Sequence, residues 1–396
     1  MKKVLKWSIS ITLLVILGIG SAGACTTAVI SGKFTKSGRP MIWKLRDTEE
    51  YANHMRRFES KIGYYVGLMN DSDPKGEHIW GGHNSHGFAI MNSASFNVNK
   101  NDTTDISNQE GVFMKKALAE CRNLEDFEAL LNNAPKPMGL ASHFGVLDAE
   151  GGAAFYEVNN YTWKKFDANE DPRGYVIRTN FSYTGDENEG LGYVRHSCAS
   201  YLFSPIDKGT LTLTELGSRL SRSMYHGLLE IDYRTLAEED ALPSKSGYID
   251  SDDLITRYGT SSMILVEGVA KGDDPSLTTS WVQIGNPYLS PLVPIWTWQE
   301  VPTELAMPQD GAEKTMAQRA MDLKKKLYPV NTIEETRYLY MPLIYRKDGE
   351  GLAQRLEKLE AKFLPMIENE KDHQKLLSLQ GQLIKEGMAI QTSFMD

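Results

Sequence analysis

The sequence predicts an α+β protein, and three observations support this fold class. Short runs rich in β-branched and aromatic residues are bounded by turn residues, which is typical of strands. Longer segments carry apolar residues three and four positions apart, which is typical of helices. The composition, 41% hydrophobic and 10% aromatic residues, indicates a packed core. Because the strands are grouped around blocks of helices, we expect α+β layers.

The first predicted strands form a hairpin close to the N-terminus. Thr26–Ser31 and Met41–Leu45 are joined by a polar turn at residues 36–40. Cys25 would therefore directly precede the first strand of the hairpin. The remaining predicted strands are Phe88–Met91, Phe144–Leu147, Ala153–Val158, Tyr175–Thr179, Met263–Val269 and Trp281–Ile284.

Helical spacing predicts three helices before residue 300, and the chain becomes charged and helical after Val301. The three helices are Gly111–Leu131, Val194–Phe203 and Leu213–Leu229. The later segment has an apolar stripe of Leu352, Leu356, Leu359 and Phe363, which we expect Pro365 to interrupt. The stripe either packs back on the main domain or forms a self-association surface of a homo-oligomer.

The first 24 residues have the three-part plan of a secretory signal peptide. Three lysines precede the uncharged run Ile9–Ile19, and small residues end the segment at Ala22 and Ala24. The apolar run is shorter than the roughly 20 residues of a membrane span. We therefore expect a signal peptide at 1–24, a catalytic domain at 25–300, a helical extension at 301–396, and export to the periplasm or the cell surface and exterior.

Net charge and cysteine content argue against two classes of protein, nucleic-acid binders and disulfide-stabilised scaffolds. The chain has 43 Lys and Arg against 52 Asp and Glu, a net charge of −9, which argues against a nucleic-acid partner. Three cysteines are too few for a disulfide framework. Cys121 is predicted to be a buried core thiol, with a disulfide to Cys198 as the alternative.

Cleavage after Ala24 would make Cys25 the N-terminal residue. Its thiol and free α-amino group then offer a nucleophile and a base in one residue, because the reference pKa of the amine is about 7.7 to 8.0. The alternative is a lipid anchor on Cys25, since small residues before a cysteine also suit lipoprotein processing.

The segment from Cys25 to Asp47 resembles the opening of cysteine N-terminal nucleophile (Ntn) hydrolases. The similar groups are choloylglycine hydrolases, penicillin V acylases, related cysteine dipeptidases and acyl-coenzyme A:6-aminopenicillanic acid acyltransferase-like proteins. In them an Asp at a similar distance holds the α-amino group of the nucleophile, and the resemblance assigns this role to Asp47. Lys44 stands where the family usually has Arg, so either Lys44 or Arg46 would be the cation that contacts substrate.

Three further segments follow in the family's order. The segment 84–92 resembles the strand that ends in an oxyanion-hole Asn, here Asn92, and the segment 175–181 resembles the strand with a second one, here Asn180. The segment 192–197 resembles the start of a helix with an active-site Arg, here Arg195. An ordered set of motifs is more specific than any one of them.

The resemblance implies a four-layer αββα sandwich and an amidohydrolase that needs neither metal nor cofactor. The thiolate of Cys25 would attack an amide carbonyl and form a thioester, while Asn92 and Asn180 stabilise the oxyanion. The expected partner is a small-molecule amide: a bile-salt conjugate, an N-acyl amino acid or amine, a penicillin side chain or a short peptide.

Three alternatives remain open at this point. An amine instead of water could accept the acyl group, which would make the chain an acyltransferase. Acylation of Cys25 would instead indicate a non-catalytic surface lipoprotein. The histidines at 78, 83 and 86 suggest a metal site, although Trp80-Gly81-Gly82 between them indicates an irregular loop.

Overall fold

The computed structural model describes residues 24–99, 101–104, 106–330 and 338–395. The predicted signal peptide therefore lies outside the described residues, apart from Ala24. Among the described residues, no helix combines the length and the apolar character that crossing a membrane requires.

The first sheet has six antiparallel strands and contains the predicted hairpin. Its order is β10 (Tyr175–Arg178), β1 (Thr26–Ile30), β2 (Met41–Asp47), β14 (Thr260–Glu267), β15 (Thr279–Ile284) and β16 (Val293–Ile295). Within the hairpin Thr27 lies opposite Lys44, so alternate residues of β1 and β2 share a face of the sheet.

The second sheet has seven antiparallel strands in sequence order. They are β3 (Asn53–Ser60), β4 (Gly63–Asn70), β5 (Gly81–Asn84), β6 (Ala89–Ala94), β7 (Ser142–Leu147), β8 (Ala153–Val158) and β9 (Trp163–Asp167). Two small sheets pair β11 (Tyr225–His226) with β12 (Ile231–Asp232), and β13 (Tyr248–Asp250) with β17 (Tyr338–Tyr340).

The described residues form seven α-helices. They are α1 (Glu110–Glu120), α2 (Leu124–Asn133), α3 (Tyr193–Phe203), α4 (Tyr233–Glu238), α5 (Met316–Leu327), α6 (Leu352–Glu368) and α7 (His373–Thr392).

Three hydrophobic clusters show how these elements are layered. Between the sheets, Val29 and Ile264 of the first pack with Met91 and Phe155 of the second. On the outer face of the first sheet, residues such as Trp43 and Leu265 pack with Phe203 of α3 and with Phe363 of α6. On the outer face of the second sheet, residues such as Ile90 and Phe144 pack with Leu118 of α1 and Phe127 of α2. The predicted αββα sandwich is confirmed.

The apolar stripe of the C-terminal segment packs back on the rest of the chain. Leu359 and Phe363 join the cluster that contains Trp43. Leu352 and Leu356 join another cluster, with Tyr288 and Leu289. The self-association interpretation of this stripe is therefore not needed. The structure does not test the predicted domain boundary at residue 300.

Three helix predictions need correction. The segment Gly111–Leu131 is two helices, because Asn123 is extended and its side chain caps α2 by accepting a hydrogen bond from the Asp126 amide. Leu213–Leu229 contains a π-helical turn and a 3-10 turn, and the chain becomes extended at Ser223. Helix α6 runs through Pro365 and continues to Glu368, although a proline within a helix removes one backbone hydrogen bond.

The disulfide alternative is also excluded. Cys121 and Cys198 are both free thiols. They lie on the outer faces of different sheets, Cys121 in the cluster with α1 and α2 and Cys198 in the cluster with α3. The prediction of a buried core thiol at Cys121 is confirmed.

Candidate active site

Cys25 lies directly before β1 and is buried, with 5% of its surface exposed. In the β1–β2 register Thr26 lies opposite Leu45, so Cys25 comes next, beside Arg46. The peptide carbonyl of Cys25 accepts a hydrogen bond from Arg195 Nη1 at 2.7 Å. Cys25 is therefore surrounded by polar groups at the end of the sheet.

Arg195 connects Cys25 with Asn180, the second predicted oxyanion-hole residue. The same Nη1 donates to Thr26 Oγ1 at 3.2 Å, and Nη2 donates to Asn180 Oδ1 at 2.9 Å. Asn180 Nδ2 donates to the carbonyl of Ala94 at 2.8 Å, and its backbone amide donates to Leu191. Both donor groups of Asn180 therefore face protein oxygens, while its acceptor oxygen orients Arg195.

Lys44 reaches across the space between the sheets to the predicted Asn92. Its Nζ donates to Asn92 Oδ1 at 2.7 Å and to the Trp80 carbonyl at 2.8 Å. Asn92 Nδ2 has a single long hydrogen bond, 3.5 Å, to Ser142 Oγ. Of the two predicted oxyanion donors, Asn92 therefore has the freer amide.

Arg46 is held next to Lys44 by neutral oxygens. Its Nη1 donates to Asn53 Oδ1 at 2.5 Å and its Nη2 to Asn70 Oδ1 at 2.8 Å. The guanidinium also lies 5.0 Å from the ring centroid of Trp80. Lys44 and Arg46 are both buried cations beside Cys25, so the structure keeps both as candidates for contact with substrate.

Asp47 has two partners that the sequence did not indicate. Its Oδ2 accepts a hydrogen bond from Arg257 Nε at 2.7 Å, and its Oδ1 accepts one from Thr260 Oγ1 at 2.6 Å. A β-bulge in β14, where the register jumps between Thr260 and Ser262, brings Thr260 opposite Asp47. Arg257 carries no motif and precedes a strand by three residues, so only the fold identifies it.

The cationic side chains of this cluster produce a positive electrostatic potential around the Cys25 thiol. Burial lowers the pKa of Lys44 to about 8 and that of Arg46 to about 10, while negative charge on Cys25 opposes both shifts. Burial and the charge of Arg257 lower the pKa of Arg195 to about 10, again opposed by Asp47 and Cys25. Lys44, Arg46 and Arg195 therefore place three buried cationic side chains around Cys25.

The histidines that suggested a metal site have separate partners. His83 is buried against Ser280 Oγ at 2.7 Å, and burial lowers its pKa to about 3. His86 Nε2 contacts the carbonyl of Ile62 at 2.7 Å. His78 lies instead beside Asp73 and Glu77, with ligand atoms within 4.8 Å of one another. The three histidines do not form one site.

The structure thus brings all seven predicted residues into one contiguous cluster: Cys25, Lys44, Arg46, Asp47, Asn92, Asn180 and Arg195. Their order along the chain agrees with the resemblance. Residues 59–201 match the family model for acyl-coenzyme A:6-aminopenicillanic acid acyl-transferase. This match confirms the resemblance drawn from the motifs. The matched residues include Asn92, Asn180 and Arg195. The match begins after Cys25 and Asp47 and so does not include them.

The chain is also similar to solved structures of low sequence identity. A mutant conjugated bile acid hydrolase from Clostridium perfringens is 13% identical, with 73% of this chain and 100% of that chain covered and a TM-score of 0.43. Penicillin V acylase from Agrobacterium tumefaciens is 12% identical, with 75% and 96% covered and a TM-score of 0.40. No curated protein matches the sequence. The fold assignment rests on the sheets and clusters described above.

Proposed function

We propose that the protein is an exported amidohydrolase that cleaves a linear amide through a thioester on Cys25. The observation that carries this proposal is the position of Cys25, at the head of β1 and in contact with Arg195, within a cluster of buried cations. Removal of the signal peptide after Ala24 would supply the free α-amino group that the mechanism needs.

The reaction uses the groups of the cluster in turn. The α-amine of Cys25 takes the thiol proton, and the thiolate attacks the amide carbonyl. Asn92 Nδ2 donates a hydrogen bond to the oxyanion, because its amide has only one long bond within the protein. The α-ammonium then protonates the leaving amine, and water releases the acyl group from sulfur by the reverse steps.

Asp47 and Asn180 orient the reacting groups in this scheme. Asp47 is proposed to favour the charged form of the α-amine, and Arg257 and Thr260 hold its carboxylate in place. Asn180 Oδ1 fixes Arg195 against the Cys25 carbonyl. The substrate class is proposed as linear amides; the alternatives within that class are those given by the resemblance.

The proposal is tested by trapping the acyl-enzyme on the mature protein. Exported protein is mixed with a panel of N-acyl amides of a chromogenic amine, quenched in acid, digested and analysed by mass spectrometry. We expect a peptide that begins at Cys25 and carries the acyl group. A diacylglyceryl adduct on Cys25, or turnover without an acyl adduct there, would overturn the proposal. Cys198→Ala is the matched control and should form the same adduct.

Acyl transfer is the second candidate function, because the matching family model describes an acyl-transferase. The same acyl-enzyme serves both reactions, and the acceptor decides between them. Turnover in the presence of added amines, followed by product analysis, separates the two: hydrolysis yields the free acid, whereas transfer yields a new amide.

Asp47→Asn should lower kcat at least about tenfold and move the pH optimum of kcat downward. A neutral side chain no longer favours the α-ammonium of Cys25, and Arg257 is left without its carboxylate. Removal of a charge within about 4 to 6 Å moves a neighbouring pKa by about one to three units. The α-ammonium therefore loses its proton at lower pH.

The measurement is a pH profile of kcat for Asp47→Asn and wild type on an amide that the panel identifies. Asp171→Asn, which removes an exposed arginine's partner on another loop, is the control and should keep the wild-type profile. If the Asp47→Asn profile coincides with that of wild type, Asp47 does not hold the amine.

A further inference from the structure

A partly buried lysine from the C-terminal segment lies against the Asp47 side of the active site. Lys324 belongs to α5, whose next residue, Lys325, is exposed and paired with Asp322. The Nζ of Lys324 is inaccessible and has no hydrogen-bond partner among the described residues. Burial of an amine without an acceptor is unfavourable, so this placement calls for an explanation.

The contacts of Lys324 Nζ are aromatic rings. The atom lies 3.0 Å from the ring centroid of Tyr51 and 4.1 Å from that of Tyr258. The two rings meet edge to face with centroids 5.8 Å apart, and Tyr328 meets Tyr258 in the same way at 5.0 Å. We call Tyr51, Tyr258 and Tyr328 the tyrosine cage. The faces of such rings attract an ammonium group, and they attract a neutral amine far less.

Two tyrosines of the cage belong to the segments that carry Asp47 and its partner Arg257, and the third, Tyr328, directly follows α5. Tyr51 is four residues beyond Asp47, near the end of the connection from β2 to β3, and Tyr258 directly follows Arg257. Arg257 and Asp47 are joined at 2.7 Å. The negative charge of Asp47 also acts on Lys324, Tyr51 and Tyr328. An interaction that keeps Tyr51 and Tyr258 in contact therefore also restricts the positions of Asp47 and Arg257, which lie on the same two segments.

We propose that Lys324 is a positioning residue of the active site, whose ammonium group clamps Tyr51 and Tyr258 and thereby fixes Asp47 and Arg257 beside Cys25. This inference rests on the proposed function for the meaning of the site. It assigns the C-terminal segment a part in that site, through a residue that contacts neither Cys25 nor Asp47 by hydrogen bond.

The charge state of Lys324 makes the clamp dependent on pH. Burial lowers its pKa to about 6, although the charge of Asp47 opposes the shift. The other charged groups that face the cage are Glu49 and Arg257, near Tyr51, and Asp252, near Tyr328. Below about pH 6 the ammonium binds both rings, and above it the neutral amine does not. The effect of Lys324 should therefore be confined to mildly acidic pH.

The test uses a probe that needs no substrate: the rate at which iodoacetamide alkylates Cys25 of the mature protein, followed by peptide mapping between pH 5 and 8. Lys324→Met keeps the length of the side chain without the charge, and Lys324→Arg keeps the charge at every pH. Lys325→Met is the matched control on the exposed face of α5.

At pH 5 we expect Cys25 to be alkylated at least about threefold more slowly in Lys324→Met than in wild type, and at pH 8 we expect equal rates. The reason is that wild type carries the positive charge on Lys324 at pH 5 and not at pH 8, so the substitution removes it only at the lower pH. Lys324→Arg should match wild type at pH 5 and exceed it at pH 8. Lys325→Met should follow wild type throughout.

A loss in Lys324→Met of the same factor at every pH would indicate a purely structural role and would overturn the proposal, as would identical profiles for all four proteins. If Lys324→Met does not fold, the comparison of Lys324→Arg with wild type at pH 8 still decides. Failure of the proposed function can be distinguished from failure of this inference. In the first case the mature protein does not begin at Cys25, or no thioester forms there.

Discussion

Cys25→Ala should abolish amide cleavage, with kcat reduced at least about 1000-fold, and leave the fold intact. The sulfur is the atom that forms the thioester, and none of the cations around it can replace a nucleophile. The small side chain of Cys25 contributes little to packing, so we expect a change in unfolding free energy below about 1 kcal/mol. The assay is kcat on the amide panel, with a thermal melt as the measure of folding.

The other two cysteines supply matched controls for this experiment. Burial raises the pKa of Cys121 to about 12 and that of Cys198 above its ordinary value, so neither is a ready thiolate. Cys121→Ala and Cys198→Ala should therefore keep kcat within about twofold of wild type. Amide cleavage that survives in Cys25→Ala would show that another residue is the nucleophile.

Glu360→Ala should lower the free energy of unfolding by about 3–5 kcal/mol. Glu360 of α6 makes two hydrogen bonds to Arg222, at 2.6 and 2.7 Å, and neither side chain is exposed. It also accepts hydrogen bonds from Ser218 Oγ and from the Leu292 amide. Removal of the carboxylate leaves the charge of Arg222 buried without its partner, which is more costly than the loss of the contacts themselves.

The measurement is urea unfolding of Glu360→Ala beside wild type and Glu386→Ala. Glu386 of α7 pairs with Lys362 at 3.3 Å on the surface, so its removal should cost less than about 1 kcal/mol. A large and specific loss in Glu360→Ala would show that α6 unfolds together with the sheets. A loss as small as that of the control would mean that α6 unfolds separately from them.

Several features of the site were predictable because their signals are local. The short strand-forming runs of β1 and β2 and the polar turn between them predicted the hairpin, and the hairpin register then places Cys25 beside Arg46. Asp47 follows as the last residue of β2. The break between α1 and α2 also had a local signal, since Asn123 and Asp126 have the spacing of a helix cap, and the prediction missed it.

Other features had no local signal. Strand β3 contains charged residues and a half-exposed face, so its pattern does not differ clearly from that of a loop. Leu216 and Leu220 are buried at helical spacing, yet this spacing reports burial and not the turn type that the backbone adopts. The oxyanion role of Asn180 stays a prediction, because its donors face Leu191 and Ala94 in this structure.

By itself the sequence determined the fold class, the hairpin that carries Cys25 and the order of the motifs, because strand composition, helix spacing and turn chemistry act between residues close in the chain. Only the tertiary structure decided which charges meet. Arg257 reaches Asp47 across 210 residues of sequence, and Lys324 of α5 enters the cage beside Tyr51. Such contacts depend on how sheets and helices are layered and how far water is excluded from them, and no short segment of sequence encodes either.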